Sequence, residues 1–264
     1  MVKRSKRSTG SRRSREILKS PDQHRQNHNL RPKVAAFVAA CAKSRHALGL
    51  NVAIDGLENI PPTGSFILAP DHHSFFDALL NGIMLEDGVF ADSARGRREV
   101  YFAAKSEIWA IGPGDIVGRV LEPVIESLGA VAVKRDGGGT DQFLENMAYQ
   151  LKNPTSEEGV VPIIYPGGTR VPSGKTTTIR RGTARVSQDT GTPIVPVGQI
   201  NTEHIWKTII NPTARLDVGV KIGEPIYPGN FTEEDPEVAI RNQTAYLLGS
   251  IQGLTRQAGE MIGQ

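Results

Sequence analysis

The stretch SFILAPDHHSFFDALLNGIM, residues 65–84, changes its hydrophobic period halfway along. Residues 65–69 (SFILA) follow the turn-forming Pro61-Pro62-Thr63-Gly64 and read as a buried strand. From Phe76 onward, Leu79, Leu80 and Met84 recur at helical spacing. The cluster Asp71-His72-His73-Ser74 therefore falls at a strand-to-helix turn. Outward from it, strands are predicted at 51–55 (NVAID), 99–104 (EVYFAA), 130–133 (AVAV), 160–165 (VVPIIY), 194–199 (IVPVGQ) and 215–222. Helices fit at 117–128, 142–151, 181–189 and 237–259. This alternation predicts an α/β fold with a central, mostly parallel mixed sheet flanked by helices. Nothing divides residues 50–264, so residues 34–264 are expected to form a single domain that opens with an N-terminal helix at 34–50.

Charge separates the first 33 residues from the rest. They hold 11 Lys and Arg against Glu16 and Asp22, about +9, which leaves 20 against 26, or −6, for the remainder. With almost nothing apolar, residues 1–33 are expected to be a disordered basic tail. Such a tail is drawn to anionic lipid by roughly 1 kcal/mol per cation. It would also attract nucleic acid, the weaker of the two partners, or act only as a solubilising tail. Cys41 is the only cysteine, which excludes an intramolecular disulfide and a cysteine metal site. The run at 34–42 (VAAFVAACA) superficially resembles a lipoprotein cleavage box, but its charged leader is too long and its apolar run too short. No stretch approaches the roughly 20 apolar residues of a membrane-spanning helix, so a peripheral protein is expected.

His72 and Asp77 stand five residues apart across the turn, close enough for the carboxylate to reach one ring nitrogen and fix the tautomer. The other nitrogen then serves as a base, and an incoming hydroxyl supplies the nucleophile. Ser74 and Asp77 also fit a helix capping box, and on local grounds both readings stand. Asp71, His72 and His73 resemble a metal-binding Asp-His-His motif as well, although the further acidic clusters of that superfamily are missing.

The predicted strand at 160–165 runs into Pro166-Gly167-Gly168-Thr169-Arg170. Glycine N–H groups beside a guanidinium suit a phosphate monoester, while a plain surface turn uses the same residues. A nucleotide phosphate loop ending in Gly174-Lys175-Thr176 has the wrong spacing, because its first glycine would fall at Thr169. A third element, 131–135, delivers Lys134 and Arg135 to a strand end before Gly137-Gly138-Gly139.

In this order the pieces resemble the glycerolipid acyltransferase family of lysophosphatidate and glycerol-3-phosphate acyltransferases. Asp71-His72-His73-Ser74-Phe75-Phe76-Asp77 matches Asn-His-x-Ser-x-x-Asp, with Asp71 for the usual Asn. GAVAVKR, residues 129–135, matches a Gly-x-x-x-x-x-Arg strand. Tyr165-Pro166-Gly167-Gly168-Thr169-Arg170 corresponds to Phe-Pro-Glu-Gly-Thr-Arg, and Val195-Pro196-Val197 to a short hydrophobic-Pro segment. Gly56 to Pro61 and Ala104-Lys105-Ser106-Glu107 are weaker family-like features.

The resemblance implies that His72 is the general base oriented by Asp77, and that an acyl group passes from acyl-CoA or acyl carrier protein to the hydroxyl of lysophosphatidate or a related phospholipid. It implies acceptor binding by Lys105, Arg135, Gly168, Thr169 and Arg170, and an acyl wall near Pro196. No metal or other cofactor is called for. The expected place of work is the cytoplasmic face of a membrane, and the sequence carries no signal for an oligomeric state. Gly167 departs from the family pattern by replacing a glutamate. That departure motivates an alternative, a membrane lipid-binding or regulatory protein of the same fold with impaired catalysis.

Overall fold

Alternation at residues 66–69 decides which side of a sheet each residue covers. The computed structural model describes residues 49–74, 76–85, 98–105, 130–133, 139–154, 157–172, 178–211 and 213–264. In it, strand β2 (Ile67–Pro70) is buried along its whole length. Ile67 and Ala69 join one apolar cluster with Phe143, Met147, Val186 and Leu247, whereas Phe66 and Leu68 join a second with Leu80, Met84, Ile205 and Val220. A strand covered on both faces is apolar at successive positions, which is why β2 reads as a continuous run.

The other strands are β1 (Leu50–Asp55), β3 (Glu99–Lys105), β4 (Ala130–Val133), β5 (Val160–Ile163), β6 (Ile194–Ile200) and β7 (Leu216–Ile222). They form one sheet in the order β1-β7-β6-β2-β5-β3-β4. Every neighbouring pair is parallel except β6 and β7. The helices are α1 (Asp77–Leu85), α2 (Gly139–Lys152), α3 (Gly182–Thr190), α4 (Ile205–Ile210) and α5 (Pro236–Met261). α2, α3 and α5 supply the first apolar cluster, and α1 and α4 the second. The expected mixed, mostly parallel α/β architecture is therefore present.

Two prolines occupy inner strands, where a missing N–H normally breaks a ladder. In β5 the Val160 carbonyl accepts from Phe66 N–H at 3.3 Å and Ile164 N–H donates to the Leu68 carbonyl at 2.9 Å. Pro162 lies between them, so its missing donor falls on the β2 side and leaves Leu68↔Ile163 as the paired position there. In β6 the Pro196 carbonyl accepts from Gly223 N–H at 2.9 Å, and antiparallel pairing with β7 begins one residue later, at Val197↔Ile222. Pro162 thus leaves a one-donor gap within the β2–β5 pairing, whereas Pro196 faces β7 just before the antiparallel pairing begins.

The expected helix at 34–50 falls outside the described residues except for its last two positions. There Gly49 turns with φ 72° and Leu50 already belongs to β1. A Cβ on Gly49 would stand 2.2 Å from the Ala214 carbonyl oxygen, so this backbone approach requires glycine. The expected basic tail at 1–33 and helix at 117–128 also lie outside the described residues. The short α4 was not anticipated, because its sequence IWKTII is rich in β-branched residues that favour strands. Among the described residues no helix is long and apolar enough to cross a membrane.

The long helix α5 begins at an Asp235 cap that accepts from Glu237 N–H at 2.9 Å, with Pro236 in its first turn. Further along it presses directly on β6 and β7. A Cβ at Gly198 would meet Thr255 N at 2.1 Å and Leu254 C at 2.2 Å, both backbone atoms. This close approach also delivers Thr255 to the end of β2, where its hydroxyl lies 3.2 Å from Asp71 Oδ2 and shares its single proton between that oxygen and the Ile251 carbonyl at 2.9 Å. Substituting Gly198→Ala is expected to push α5 off the sheet and lower the unfolding free energy by about 3 kcal/mol, read as a drop in the urea midpoint.

Candidate active site

β2 ends at Pro70 and α1 begins at Asp77, so residues 71–76 must carry the chain from strand to helix. Ser74 and Asp77 organise that connection as a reciprocal cap. Ser74 Oγ accepts from Phe76 N–H at 3.1 Å, while Asp77 Oδ2 accepts from Ser74 N–H at 2.8 Å and His73 N–H at 2.7 Å. The capping reading is therefore correct. The same Oδ2 also lies 2.7 Å from His72 Nδ1, and Oδ1 accepts from the Thr202 hydroxyl at 2.6 Å.

A carboxylate only accepts, so His72 carries its proton on Nδ1 and keeps a lone pair on Nε2. Nε2 has no hydrogen-bond partner among the described residues, and the His72 side chain is 21% exposed where that of Asp77 is 0%. The imidazole stacks on Tyr165 with ring centroids 4.0 Å apart, which holds its plane. The Tyr165 hydroxyl accepts from Asn81 Nδ2 at 3.3 Å. Burial first, and then the negative charge of Asp77, push this phenol well above its ordinary range, so it stays neutral. Ser74 is buried and its oxygen is occupied by the Phe76 N–H. The arrangement offers an oriented base for an external hydroxyl.

Behind this pair lies a second. Asp71 Oδ1 accepts from His72 N–H at 3.0 Å, and Asp71 Oδ2 stands 3.0 Å from His73 Nε2 in an ion pair. Gln199 Nε2 donates to the Asp71 carbonyl at 2.6 Å, and Asp71 N–H donates to the Val197 carbonyl at 3.0 Å. Burial disfavours charge on both side chains, but their mutual attraction outweighs it. Asp71 is held below the usual carboxylate range, and His73 is raised to about 9, helped by the Val171 carbonyl and Asp77. With His73 turned to Val171 and Asp71, and His72 Nδ1 to Asp77, the Asp-His-His cluster is committed to internal partners. Among the described residues no group of three or more His, Cys, Asp or Glu is arranged to hold a metal ion.

The segment after β5 packs against the same loop. Gly168 N–H closes a turn on the Tyr165 carbonyl at 3.0 Å, with Pro166 at the second position, and Gly168 takes φ 64°. Thr169 and Arg170 follow, exposed, and Val171 N–H donates to the His72 carbonyl at 2.9 Å. The predicted Gly168, Thr169 and Arg170 are thus tied by main chain to the predicted His72–Asp77 pair. Lys105 ends β3 at the same carboxyl edge of the parallel strands β2, β5, β3 and β4. The side chain of Lys105 and all of Arg135 lie outside what is described. Pro196 is buried in β6, its ring 3.0 Å from where a Cβ on Gly223 would stand. Residues 173–177 lie outside the described residues; residues 178–180 are irregular and α3 starts only at Gly182, so the described residues that follow do not form the helix a nucleotide phosphate loop requires.

Several contacts have no sequence signal. Thr202 and Thr255 reach the two carboxylates from elements more than 100 residues away in the chain. Arg180 is the other surprise. Its backbone N–H donates to the Pro166 carbonyl at 2.9 Å, and its guanidinium runs alongside Gly168, with Nε 3.6 Å from where a Cβ would stand. It makes no ion pair with a described residue. Tyr165 was legible only as an aromatic ahead of Pro-Gly.

The α/β sheet brings the His72–Asp77 pair and the glycine-arginine turn together at the carboxyl edge of its parallel strands. The chain belongs to the acyltransferase family, whose model matches residues 51–199, more than half of its 264 residues. Its fold is similar to that of a solved 1-acyl-sn-glycerophosphate (LPA) acyltransferase, PlsC, from Thermotoga maritima. The TM-score is 0.58 at 24% identity over 92% of this chain and 84% of that one. No curated protein matches the sequence.

The buried pair makes stability depend on pH. The raised His73 contributes stabilisation that is complete below its ordinary value of 6.5 and is lost as pH rises through about 9. The lowered Asp71 contributes stabilisation present above 3.8 and lost as pH falls below it. The urea midpoint is expected to peak between these values and to decline toward pH 9 by the equivalent of roughly 3 kcal/mol at most. In His73→Gln the alkaline decline should be absent.

Proposed function

We propose that this chain transfers a fatty acyl group from a thioester, acyl-CoA or acyl carrier protein, to the hydroxyl of lysophosphatidate or a closely related phosphorylated glycerolipid. The observation that carries this reading is the 2.7 Å contact between His72 Nδ1 and Asp77 Oδ2, which leaves Nε2 without a partner among the described residues. His72 Nε2 takes the proton of the acceptor hydroxyl as the oxygen attacks the thioester carbonyl carbon. Asp77 stabilises the imidazolium that forms. The tetrahedral adduct then collapses: the C–S bond breaks, the new ester remains, and the thiolate leaves as a thiol with the proton from Nε2. The enzyme returns to its starting state without a covalent intermediate.

The acceptor's phosphate is assigned to the Gly168-Thr169-Arg170 turn, with Lys105 and Arg135 as further cations. Arg180 adds a positive charge beside Gly168. Where the family pattern has glutamate, Gly167 offers no carboxylate, so the turn is more cationic than that pattern implies. The similar solved protein is a lysophosphatidate acyltransferase, and the same acceptor class is the first to test. Pro196 is placed near the acyl chain, and the basic segment at 1–33 is read as the attachment to an anionic membrane surface.

Labelled acyl-CoA and acyl carrier protein, offered with lysophosphatidate, glycerol 3-phosphate and lysophospholipids, test this reading. His72→Ala is expected to lose at least about 1000-fold in kcat, and Asp77→Asn about 100-fold or more, with far-ultraviolet circular dichroism unchanged. Activity surviving both substitutions would show that the pair does not do the chemistry. Lipid binding without turnover on any acceptor would favour the impaired lipid-binding reading that Gly167 motivates. Removing residues 1–33 is expected to abolish retention on anionic vesicles at low salt; equal retention would assign membrane contact elsewhere.

A further inference from the structure

One departure from the family pattern faces a residue at a variable position of that pattern. Asp71 stands where asparagine is usual, and His73 fills the variable position two residues later. Their side chains meet at 3.0 Å with 9% and 1% exposure, respectively. The other ring nitrogen, Nδ1, lies 2.5 Å from the Val171 carbonyl oxygen. Nδ1–H donates to the Val171 carbonyl, while Nε2 faces the Asp71 carboxylate at 3.0 Å as a charge contact without hydrogen-bond alignment, and that buried carboxylate favours the imidazolium over the neutral ring. A neutral ring would turn a lone pair toward one of these oxygens.

Val171 is therefore gripped at both ends of its main chain. Its carbonyl accepts from His73, and its N–H donates to the His72 carbonyl at 2.9 Å. The residue immediately before it is Arg170, and Gly168 and Thr169 precede that. We propose that His73, kept charged by Asp71, is a positioning residue that clamps the Gly168–Arg170 turn against the catalytic loop and so sets the acceptor-phosphate subsite in register with His72. The proposal rests on the acyltransferase reading only for what the turn binds; the clamp itself is a property of the two loops.

The clamp has a defined pH range. Among the described residues the charges acting on His73 are those of Asp71 and Asp77, while Gln199 from β6 and Thr255 from α5 hold Asp71 as neutral partners. The imidazolium persists through neutral pH and is lost near 9. With asparagine at 71, a neutral ring satisfies both sides: Nδ1–H donates to Val171 and Nε2 accepts from the Asn side-chain amide. Asp71→Asn should thus keep the turn in place while removing its dependence on protonation.

The full chain with isotope-labelled histidine provides a test independent of turnover. Both His73 ring nitrogens are expected to be protonated at pH 7.5. The backbone amides of Arg170 and Val171 should shift with the His73 titration near pH 9, and in Asp71→Asn that transition should be gone. A His73 ring neutral at pH 7.5, or amides indifferent to its titration, overturns the clamp. In steady-state assays with acyl-CoA and lysophosphatidate, the wild-type acceptor KM should rise above pH 9 with little change in donor KM. Asp71→Asn should abolish the rise, and His73→Gln should raise acceptor KM about 10-fold at pH 7.5 while kcat changes far less. A parallel fall in kcat with acceptor KM unchanged would make His73 merely structural. If wild type transfers no acyl group to any acceptor, the functional reading fails, while the resonance measurements still decide the clamp.

Discussion

A carboxylate can be fully buried only when its lone pairs are taken up by donors, and Asp77 meets that condition with four. His72, His73 and Ser74 supply three from its own loop, and Thr202 supplies the fourth from the segment after β6. Those bonds fix the entry to α1, the tautomer of His72 and the distance between β2 and the end of β6. Capping and orienting a base are therefore not rival roles. The oxygen that satisfies the start of a helix also holds the imidazole, so the orientation of His72 inherits the rigidity of the helix terminus.

Parallel strand order extends this constraint to the rest of the site. β2, β5, β3 and β4 run in one direction, so the residues that follow each of them emerge at one edge of the sheet. The His72 loop follows β2, the Gly168 turn follows β5, and Lys105 closes β3. Main-chain bonds at Val171 then lock the first two together. The two inner prolines are compatible with this arrangement because Pro162 removes a single donor between two formed bonds and Pro196 stands just ahead of the β6–β7 pairing. On the opposite side, the bare backbone at Gly198 lets α5 come close enough for Thr255 to reach Asp71.

Electrostatics divides the labour between the two histidines. His72 is part-exposed and presents one lone pair, while His73 is buried, its Nδ1 donating to Val171 and its Nε2 facing the Asp71 carboxylate as an ion pair. The neighbouring carboxylates determine the difference. Asp77 shares its charge with backbone N–H groups and a hydroxyl, and Asp71 gives much of its own to His73. Adjacent residues of one type thereby acquire opposite duties.

Local sequence was sufficient for the seven strands, for their mostly parallel arrangement, and for the five-residue spacing that joins His72 to Asp77. Each depends on near neighbours: a hydrophobic period, a turn, or a helix cap. The same short range explains why α4 was missed, since its residues favour a strand until burial of Ile205 against the sheet holds them as a helix. Thr202, Thr255, the stacking of Tyr165 on His72, the placement of Arg180 beside Gly168 and the grip of His73 on Val171 were decided by tertiary structure alone. Their partners lie between 12 and 184 positions away, and a hydrogen bond or ring contact across that separation leaves no periodic trace in the chain.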